Sequence, residues 1–595
     1  MPHITIDNLR VEAKEGKTVI ETAYENGIDI PHFCWHPELS ISGNCRMCLV
    51  EVGLPKRLPD GGFEKDEDGK PIINYFPKLQ IACATRVADG MHVRTRTEKV
   101  THAHEAVMEF FLINHPLDCP ICDEAGECKL QEYAFRHSRG ESRFDEMKNR
   151  FEKRVQWGPN VVFDSERCIR CSRCIRFAQE IADQDVLTFT QRGDHVNIQL
   201  AEGTQLDNPY SMNVIDICPV GALTSDDFRF RARVWDMSFN DSICPGCARG
   251  CNIKVGVRNN EILRLQPRVN MYVNKYWMCD PGRLGEYKFV NENRVTDPLT
   301  GRGAEKQVVH WDAAFQQVAE NLKKFKPEEM MFLVSGDSTC EDAFLAQRLA
   351  KQVMKTNNID TAPNMDKSFS DNLLRCAGRN ANLAGVREVG VEPAGGNITW
   401  KDFADKLTKG RIKALYIMDE HFRYYPEILD HIGKVDYLVV HAHNHSKLTE
   451  AADVVLPSST YAETEGTWVN INQRVQHFEP AVVTTENRGV MGMKMSRLDR
   501  FGAHNDRWTH HETRNCRPGW KIVQGVANQL GANWKFKNAE EVFNEIARKV
   551  KTFSGMDYEL LDEYQGVPLG KADKPDPKVT NYTSHYMKPH WNKYK

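Results

Sequence analysis

A chain of 595 residues is too long for one hydrophobic core and, at about 100 to 200 residues per domain, should hold roughly three to five domains. Its 78 Lys plus Arg balance 82 Asp plus Glu, and the formal net charge of -4 excludes the global basic field of a nucleic-acid binder. A mean hydropathy of -0.54, with no uninterrupted apolar stretch near the ~20 residues of a bilayer span, excludes a direct membrane span, so any membrane association is expected to be indirect.

The opening stretch MPHITIDNLRVEAKEGKTVIETA has acidic residues from Asp7 onwards and no apolar signal core, so it reads as folded domain and export is not expected. Of the 18 cysteines, fifteen lie between Cys34 and Cys279. In a chain that is not exported, such crowding points to metal ligands rather than disulfides, with iron-sulfur clusters or zinc as the candidates.

The first set is Cys34, Cys45, Cys48 and Cys83, spaced C-x₁₀-C-x₂-C with a distant fourth member. It differs from the plant-type ferredoxin pattern in the length of the first loop, and four thiolates are what a two-iron cluster requires. Zinc is the alternative, although structural zinc ordinarily uses two short knuckles and this set has one. Alternation in HITIDNLRVEA and a helical TVIETAYENG predict a small β-grasp sheet with one helix. The stretch PKRLPDGGFEKDEDGKPI reads as an inserted surface hairpin tip clear of the cluster.

The second set is His115, Cys119, Cys122 and Cys128 in NHPLDCPICDEAGECKLQ, flanked by two helical segments. An imidazole in place of one thiolate keeps four ligands and lowers the negative charge on a four-iron cluster; zinc also accepts three cysteines and a histidine. The third set is Cys168, Cys171 and Cys174 with a remote Cys218-Pro219. It matches half of the bacterial two-cluster ferredoxin pattern, with Ala178 where the run would carry its fourth cysteine and no cysteine in SMNVIDI before Cys218, so one four-iron cluster is predicted. Arg170, Arg173 and Arg176 around it are candidate positive charges near an anionic cluster, with a solvated surface as the default for each. The fourth set is Cys244, Cys247, Cys251 and Cys279, which fits a further four-iron cube better than a zinc site.

Beyond residue 300, apolar runs in MFLVSG, ALYIM and YLVV alternate with helical stretches, predicting a parallel sheet covered by helices. Ser338 with Glu341 is the expected capping box of the helix after the first run. Gly336 alone falls short of a dinucleotide-binding loop. His441, His443 and His445 alternate at a strand end and read as solvent-facing, with a metal site as the alternative. Cys340, Cys376 and Cys516 have no partners at ligand spacing and read as ordinary buried thiols.

The order of the four sets, with the His-x₃-Cys-x₂-Cys-x₅-Cys run second, resembles the large iron-sulfur subunit of NADH:quinone oxidoreductase, respiratory complex I, the family of the mitochondrial 75 kDa iron-sulfur subunit and its bacterial G counterpart. The resemblance covers about residue 3 to about residue 476. It implies one 2Fe-2S and three 4Fe-4S clusters, the first three on the electron path from the flavin and NADH-binding subunit towards the quinone-side iron-sulfur subunits and the fourth off that path. It also implies a peripheral location through the complex, on the cytoplasmic face of a bacterial inner membrane or the matrix side of a mitochondrial one. The chain would belong to an oxidoreductase and translocase without itself holding the NADH or quinone site.

ADVVLPSSTYAETEGTWVNINQRVQ, residues 452–476, is similar to a signature stretch of the molybdopterin oxidoreductases. Where their molybdenum ligand falls, this chain has Asp366 in TAPNMDKS, and Cys279-Asp280-Pro281-Gly282 departs from their Cys-x-Lys-Gly, so no molybdenum is expected. The large subunit of an NAD-linked formate dehydrogenase and the relay subunit of an NAD-reducing hydrogenase are the competing resemblances. A zinc-stabilised scaffold without redox activity is the rival from another class.

The expected fold class is therefore α+β iron-sulfur domains followed by an α/β molybdopterin-oxidoreductase-like domain. The expected boundaries are a 2Fe-2S ferredoxin-like β-grasp domain at 1–98, a helical His-Cys₃ 4Fe-4S domain at 99–150 and a 4Fe-4S ferredoxin-like domain at 151–236. A molybdopterin-oxidoreductase-type 4Fe-4S domain at 237–296, the α/β domain without metal at 297–560 and an extended tail at 561–595 complete the expectation.

Overall fold

The structure is a computed structural model that describes residues 1–59, 62–393, 398–419, 426–489, 491 and 513–577. The described residues form two compact units, the first from Met1 to Trp235 and the second from Asp236 onwards. No helix among them is long and apolar enough to cross a membrane.

The first unit opens with a β-grasp sheet of β1 (His3–Ile6), β2 (Leu9–Glu12), β3 (Leu49–Pro55), β4 (Ile73–Tyr75), β5 (Gln80–Ile81) and β6 (His92–Arg94). The strand order is β2-β1-β6-β3-β4 with β5 on β3, and only β1 with β6 is parallel. Helix α1 (Val19–Glu25) starts at Thr18, which exchanges capping-box bonds with Glu21. Its Val19, Ile20 and Ala23 pack on Ile4, Ile6, Val50, Val52 and Val93 of the sheet. The predicted inserted hairpin extends β3 and β4 through the bridges Arg57↔Phe63 and Lys65↔Pro71.

Helices α2 (Glu98–Asn114) and α3 (Lys129–His137) then flank the second cysteine set. The rest of the unit consists of small sheets, β7 (Val155–Gln156), β8 (Val161–Phe163) and β11 (Leu223–Ser225) in one and β9 (Leu187–Thr190) with β10 (Asn197–Leu200) in another. Helices α4 (Arg173–Glu180) and α5 (Asn213–Ile217) pack among them.

The second unit begins with the antiparallel sheet β12 (Ser238–Ile243), β13 (Asn252–Arg258) and β14 (Glu261–Pro267), followed by α6 (Asp280–Gly285). Its larger sheet runs β16 (Gln307–Val308), β15 (Leu299–Thr300), β21 (Val454–Pro457), β20 (Tyr437–Ala442), β19 (Ala414–Met418), β17 (Met330–Val334) and β18 (Ile359–Asp360). The five strands from β21 to β18 are parallel. Successive side chains alternate between two cores: Phe332, Tyr416 and Val439 face one, and Leu333, Leu415 and Val440 the other. Strands buried on both faces read as continuous apolar runs, which makes them visible in one dimension. The expected fold class, α+β iron-sulfur domains followed by α/β, is the one observed.

Two local expectations need correction. The capping box after β17 is formed by Thr339 and Asp342, one residue beyond the expected Ser338 and Glu341. Glu341 instead turns inwards and accepts bonds from Thr467 and Tyr558. The segment after residue 560 is not an extended tail as far as it is described: helix Tyr558–Glu563 runs through the expected boundary, and β24 (Val567–Pro568) pairs with β23 (Arg474–Phe478). Asp576 closes this segment with an ion pair to the buried Arg474 at 2.8 Å. Residues 578–595 of the expected tail lie outside the described residues.

Candidate metal centres

The first set occupies the loop between α1 and β3, with Cys83 just beyond β5, and all four cysteines are buried. The sulfurs lie as two pairs. A hydrogen bond from Cys45 brings the Cys34 thiol down to about 5, and the same bond, with burial, pushes Cys45 well up. Cys48 is raised by its bond to Cys83 and by burial. Arg46, at φ 58°, turns the backbone through the left-handed region between Cys45 and Cys48.

In the second set, His115 caps the C-terminus of α2 and Cys128 stands at the N-cap of α3, while Cys119 and Cys122 border a single 3₁₀ turn. Burial, aided by Lys148 and Arg167, drops His115 to about 4, so its imidazole is neutral and a ring lone pair is available to a metal. Cys128 stands at the N-terminus of α3, where the helix dipole favours negative charge, and its thiol donates to Pro219 O at 3.9 Å while burial raises its pKa. Positive side chains surround the loop: Arg167 and Lys153 pair with Asp118 at 2.9 and 2.7 Å, and Arg233 donates to the carbonyl of Cys122 at 2.5 Å. Leu117 and Ile121, 91% and 56% exposed, flank the exposed Cys119, so this set borders the surface of the unit.

The third set clusters around the start of α4. Arg170 (φ 54°) and Ser172 (φ 61°) both adopt left-handed backbone, which curls Cys168, Cys171 and Cys174 onto one side. Cys218, at the C-cap of α5, faces Cys171 and Cys168 electrostatically. Burial pushes Cys168 up to about 12 and raises the other three thiols.

The arginines of this set depart from the solvated surface expected of them. Arg173 and Arg176 are 1% and 8% exposed, and their guanidinium groups point into the unit. Arg170 is half-buried and donates to the carbonyls of Cys168 and Val196, both at 2.8 Å. Carbonyl acceptors absorb each charge, a use of arginine that cysteine spacing does not announce.

The turn Cys218-Pro219-Val220-Gly221 lies between the third and second sets. The backbone N–H of Lys129, next to Cys128, donates to Pro219 O at 3.0 Å. A Cβ on Gly221 would lie 2.2 Å from Cys122 Sγ, so only glycine permits this approach.

The fourth set lies in the second unit, on the β12-β13 connection and at Cys279, the N-cap of α6. The four cysteines line one recess with Met278, Phe369 and Leu374. A Cβ on Gly282 would meet Cys244 Sγ and Cys279 Sγ, each at 3.2 Å. Cys376 adjoins this set: its bond to Cys247 brings that thiol down to about 6. The segment carrying Cys376 is tied over the loop by Arg249 to Leu374 O (3.0 Å), Ala248 N–H to Gly378 O (2.9 Å) and Arg379 to Gly246 O (2.8 Å). Cys376 is thus buried, as expected, but it touches a predicted ligand. Cys340 and Cys516 are buried elsewhere.

Among the described residues no three donors already stand at metal-binding geometry, so in each set the sulfurs are gathered as pairs and neighbours. The three histidines are not the solvent-facing row expected of them. His441 is buried and bonds Tyr416 Oη at 2.6 Å, His443 is half-buried on Ser458, and only His445 is exposed. Strand β20 is covered on both faces, so alternation there selects between two cores. Asp366, at the expected position of a molybdenum ligand, uses its carboxylate to cap the turn at Ser368.

Family models match the chain in the same order. A 2Fe-2S iron-sulfur cluster binding domain matches residues 2–98, an NADH-ubiquinone oxidoreductase-G iron-sulfur binding region 105–143, and an NADH-quinone oxidoreductase subunit 3 ferredoxin-like domain 158–224. A molybdopterin oxidoreductase Fe4S4 domain matches 237–291 and a molybdopterin oxidoreductase model 372–487. These matches define an oxidoreductase-type protein with 2Fe-2S and 4Fe-4S binding domains. The G-type subunit of NADH-quinone oxidoreductase from Rickettsia conorii is 34% identical over 78% of this chain and 68% of its own length. NADH-quinone oxidoreductase subunit 3 of Thermus thermophilus is 39% identical over 60% of this chain, and the 75 kDa subunit of NADH-ubiquinone oxidoreductase from Reclinomonas americana 39% over 57%. The chain belongs to this family, the G-type or 75 kDa iron-sulfur subunits of NADH-quinone oxidoreductase. It spans 47% of the Thermus relative and 45% of the Reclinomonas one. A chain of an NAD+-reducing [NiFe]-hydrogenase matches 39% of this chain at 26% identity with a TM-score of 0.33, too low to carry any argument.

Proposed function

We propose that the chain relays electrons within NADH:quinone oxidoreductase, between the flavin and NADH-binding subunit and the quinone-side iron-sulfur subunits. Cys34, Cys45, Cys48 and Cys83 would hold a two-iron cluster. His115 with Cys119, Cys122 and Cys128, then Cys168, Cys171, Cys174 and Cys218, then Cys244, Cys247, Cys251 and Cys279 would each hold a four-iron cluster. The donor sets fit such groups: thiols that burial and neighbouring sulfurs hold protonated need a cation to ionise them, the backbone N–H of Arg170 donates to Cys168 Sγ at 3.4 Å, and Gly221 and Gly282 leave room beside the sulfurs. Bound clusters supply one-electron chemistry at potentials set by ligand, charge and burial. The chain's own part is to fix positions, exclude water and place positive charge and amide dipoles around the sulfurs.

The observation that carries this reading is the adjacency of three sets in the first unit. The third touches the first through Arg176, which donates to Cys34 O at 2.6 Å and Cys171 O at 3.4 Å, and touches the second through the Cys218–Gly221 turn. A spatial order of first, third, second, ending beside exposed Leu117 and Ile121, suits handover to a partner, and the protein would sit peripherally on the cytoplasmic face of a bacterial membrane or its matrix equivalent. Metal analysis of anaerobically purified full-length chain tests it: about 14 irons per chain, with two-iron and four-iron EPR signals, is the expected result. Stoichiometric zinc with little iron overturns it, and stoichiometric molybdenum would instead indicate a formate dehydrogenase-like catalyst.

A further inference from the structure

Two arginines one turn apart on α4 tie together the loops of two different cysteine sets. Arg176 Nη2 donates to Cys34 O (2.6 Å) in the first loop and to Cys171 O (3.4 Å) in the third, Nη1 donates to Ser40 O, and Nε is held by Ser172 Oγ at 3.1 Å. Ser172 Oγ bonds across to Ser42 Oγ at 3.1 Å, so the first loop is held from the same point. Arg173 repeats the arrangement one residue away from ligands: Nη2 reaches Trp35 O at 2.5 Å and Nη1 reaches Ile217 O at 2.9 Å, next to Cys34 and Cys218. Residues three apart share a helix face, so both guanidinium groups fill the same gap.

A guanidinium stays charged when buried, and its planar fork fixes the acceptors it joins. Charge in a water-poor interior acts over longer range than at the surface. A positive charge beside an anionic cluster favours its reduction, and here one charge adjoins two candidate centres. We infer that Arg176, supported by Arg173, is a shared clamp that raises the reduction potentials of the first-set and third-set clusters together while holding their separation. Because both potentials move in one direction, their difference, which drives the electron step, changes less than either value. This inference rests on the relay reading above.

Redox titration of the full chain in its assembled complex, followed by EPR, tests the clamp. Arg176→Gln is expected to keep its iron and to lower the midpoints of the first-set and third-set signals, both by more than the second-set and fourth-set signals. Arg176→Lys, which restores the charge, is expected to bring both midpoints back towards wild type. Intact clusters with neither midpoint moved, with only one moved, or with a lysine variant that behaves like the glutamine one overturn the proposal. If Arg176→Gln loses iron, Arg173→Gln, which removes the donors to Trp35 O and Ile217 O, is expected to lower the same two midpoints by less, and a single or absent shift there overturns it equally. Wild-type protein without iron would defeat the relay reading itself, whereas loaded protein with unmoved midpoints defeats only the clamp.

Discussion

Gly221 separates the second and third sets by the width of a missing methyl group. With 2.2 Å between a built Cβ and Cys122 Sγ and 2.9 Å to Glu124 Cβ, an alanine fits only if the cysteine sulfur is driven from its place or the turn moves. Gly221→Ala is therefore expected to displace the second cluster and lower the iron content by about four per chain, while the two-iron EPR signal persists. An unchanged iron count would show that the turn yields. At this scale the cysteines were legible because short spacings on loops survive in one dimension. The arginines were not, because the acceptors of Arg173 and Arg176 are main-chain carbonyls up to 142 positions away in sequence.

At the scale of elements, helix Cys340–Arg348 carries a carboxylate into the core of the second unit. Glu341 accepts Thr467 N–H at 3.0 Å, Thr467 Oγ1 at 2.9 Å and Tyr558 Oη at 2.8 Å, and burial pushes it up to about 7. An unfolded glutamate titrates near 4.5, so between about 4.5 and 7 the folded chain binds the extra proton. Its contribution is complete below 4.5 and declines by about 3 kcal/mol as pH rises through 7. Glu341→Gln loses ~1–3 kcal/mol because its amide meets donors that want an acceptor. Denaturant unfolding should show wild type more stable than the variant near pH 5 and level with it or less stable at pH 8, and a constant gap would refute the assignment.

The same helix shows why one capping residue was misplaced. Thr339 with Asp342 and Ser338 with Glu341 both fit the capping pattern, and only the tertiary partners Thr467 and Tyr558 decide that Glu341 is used elsewhere. His441 of β20 was misread for a related reason: alternation implies a wet face only on a sheet with one exposed side. A core packed on each face of that strand removes the wet face.

For the whole molecule, the relay reading requires a route off the chain. Leu117 and Ile121 are apolar, exposed and adjacent to Cys119, whereas most apolar side chains of the unit are inside. Leu117→Asp is expected to leave the iron content unchanged and to reduce co-purification of the quinone-side iron-sulfur subunit by about tenfold, the size of one apolar interface anchor. Undiminished recovery of that subunit would place the contact elsewhere. The order of the iron-sulfur domains was legible because each cysteine set sits in its own segment, whereas the C-terminal boundary was not. The pairing of β24 with β23 was not, since it joins residues about ninety positions apart through two hydrophobic side chains and a proline.

The turn at Cys218 to Gly221 also bears on how the protein matures. It offers a thiol to one cage and a bare Cα to the other, so a single backbone conformer has to serve both. Installing either cofactor fixes that conformer and removes from the neighbouring cage most of the ordering entropy it would otherwise face. If the two sets hold clusters as proposed, their biogenesis would thereby be cooperative, with half-filled intermediates disfavoured relative to chains with both in place.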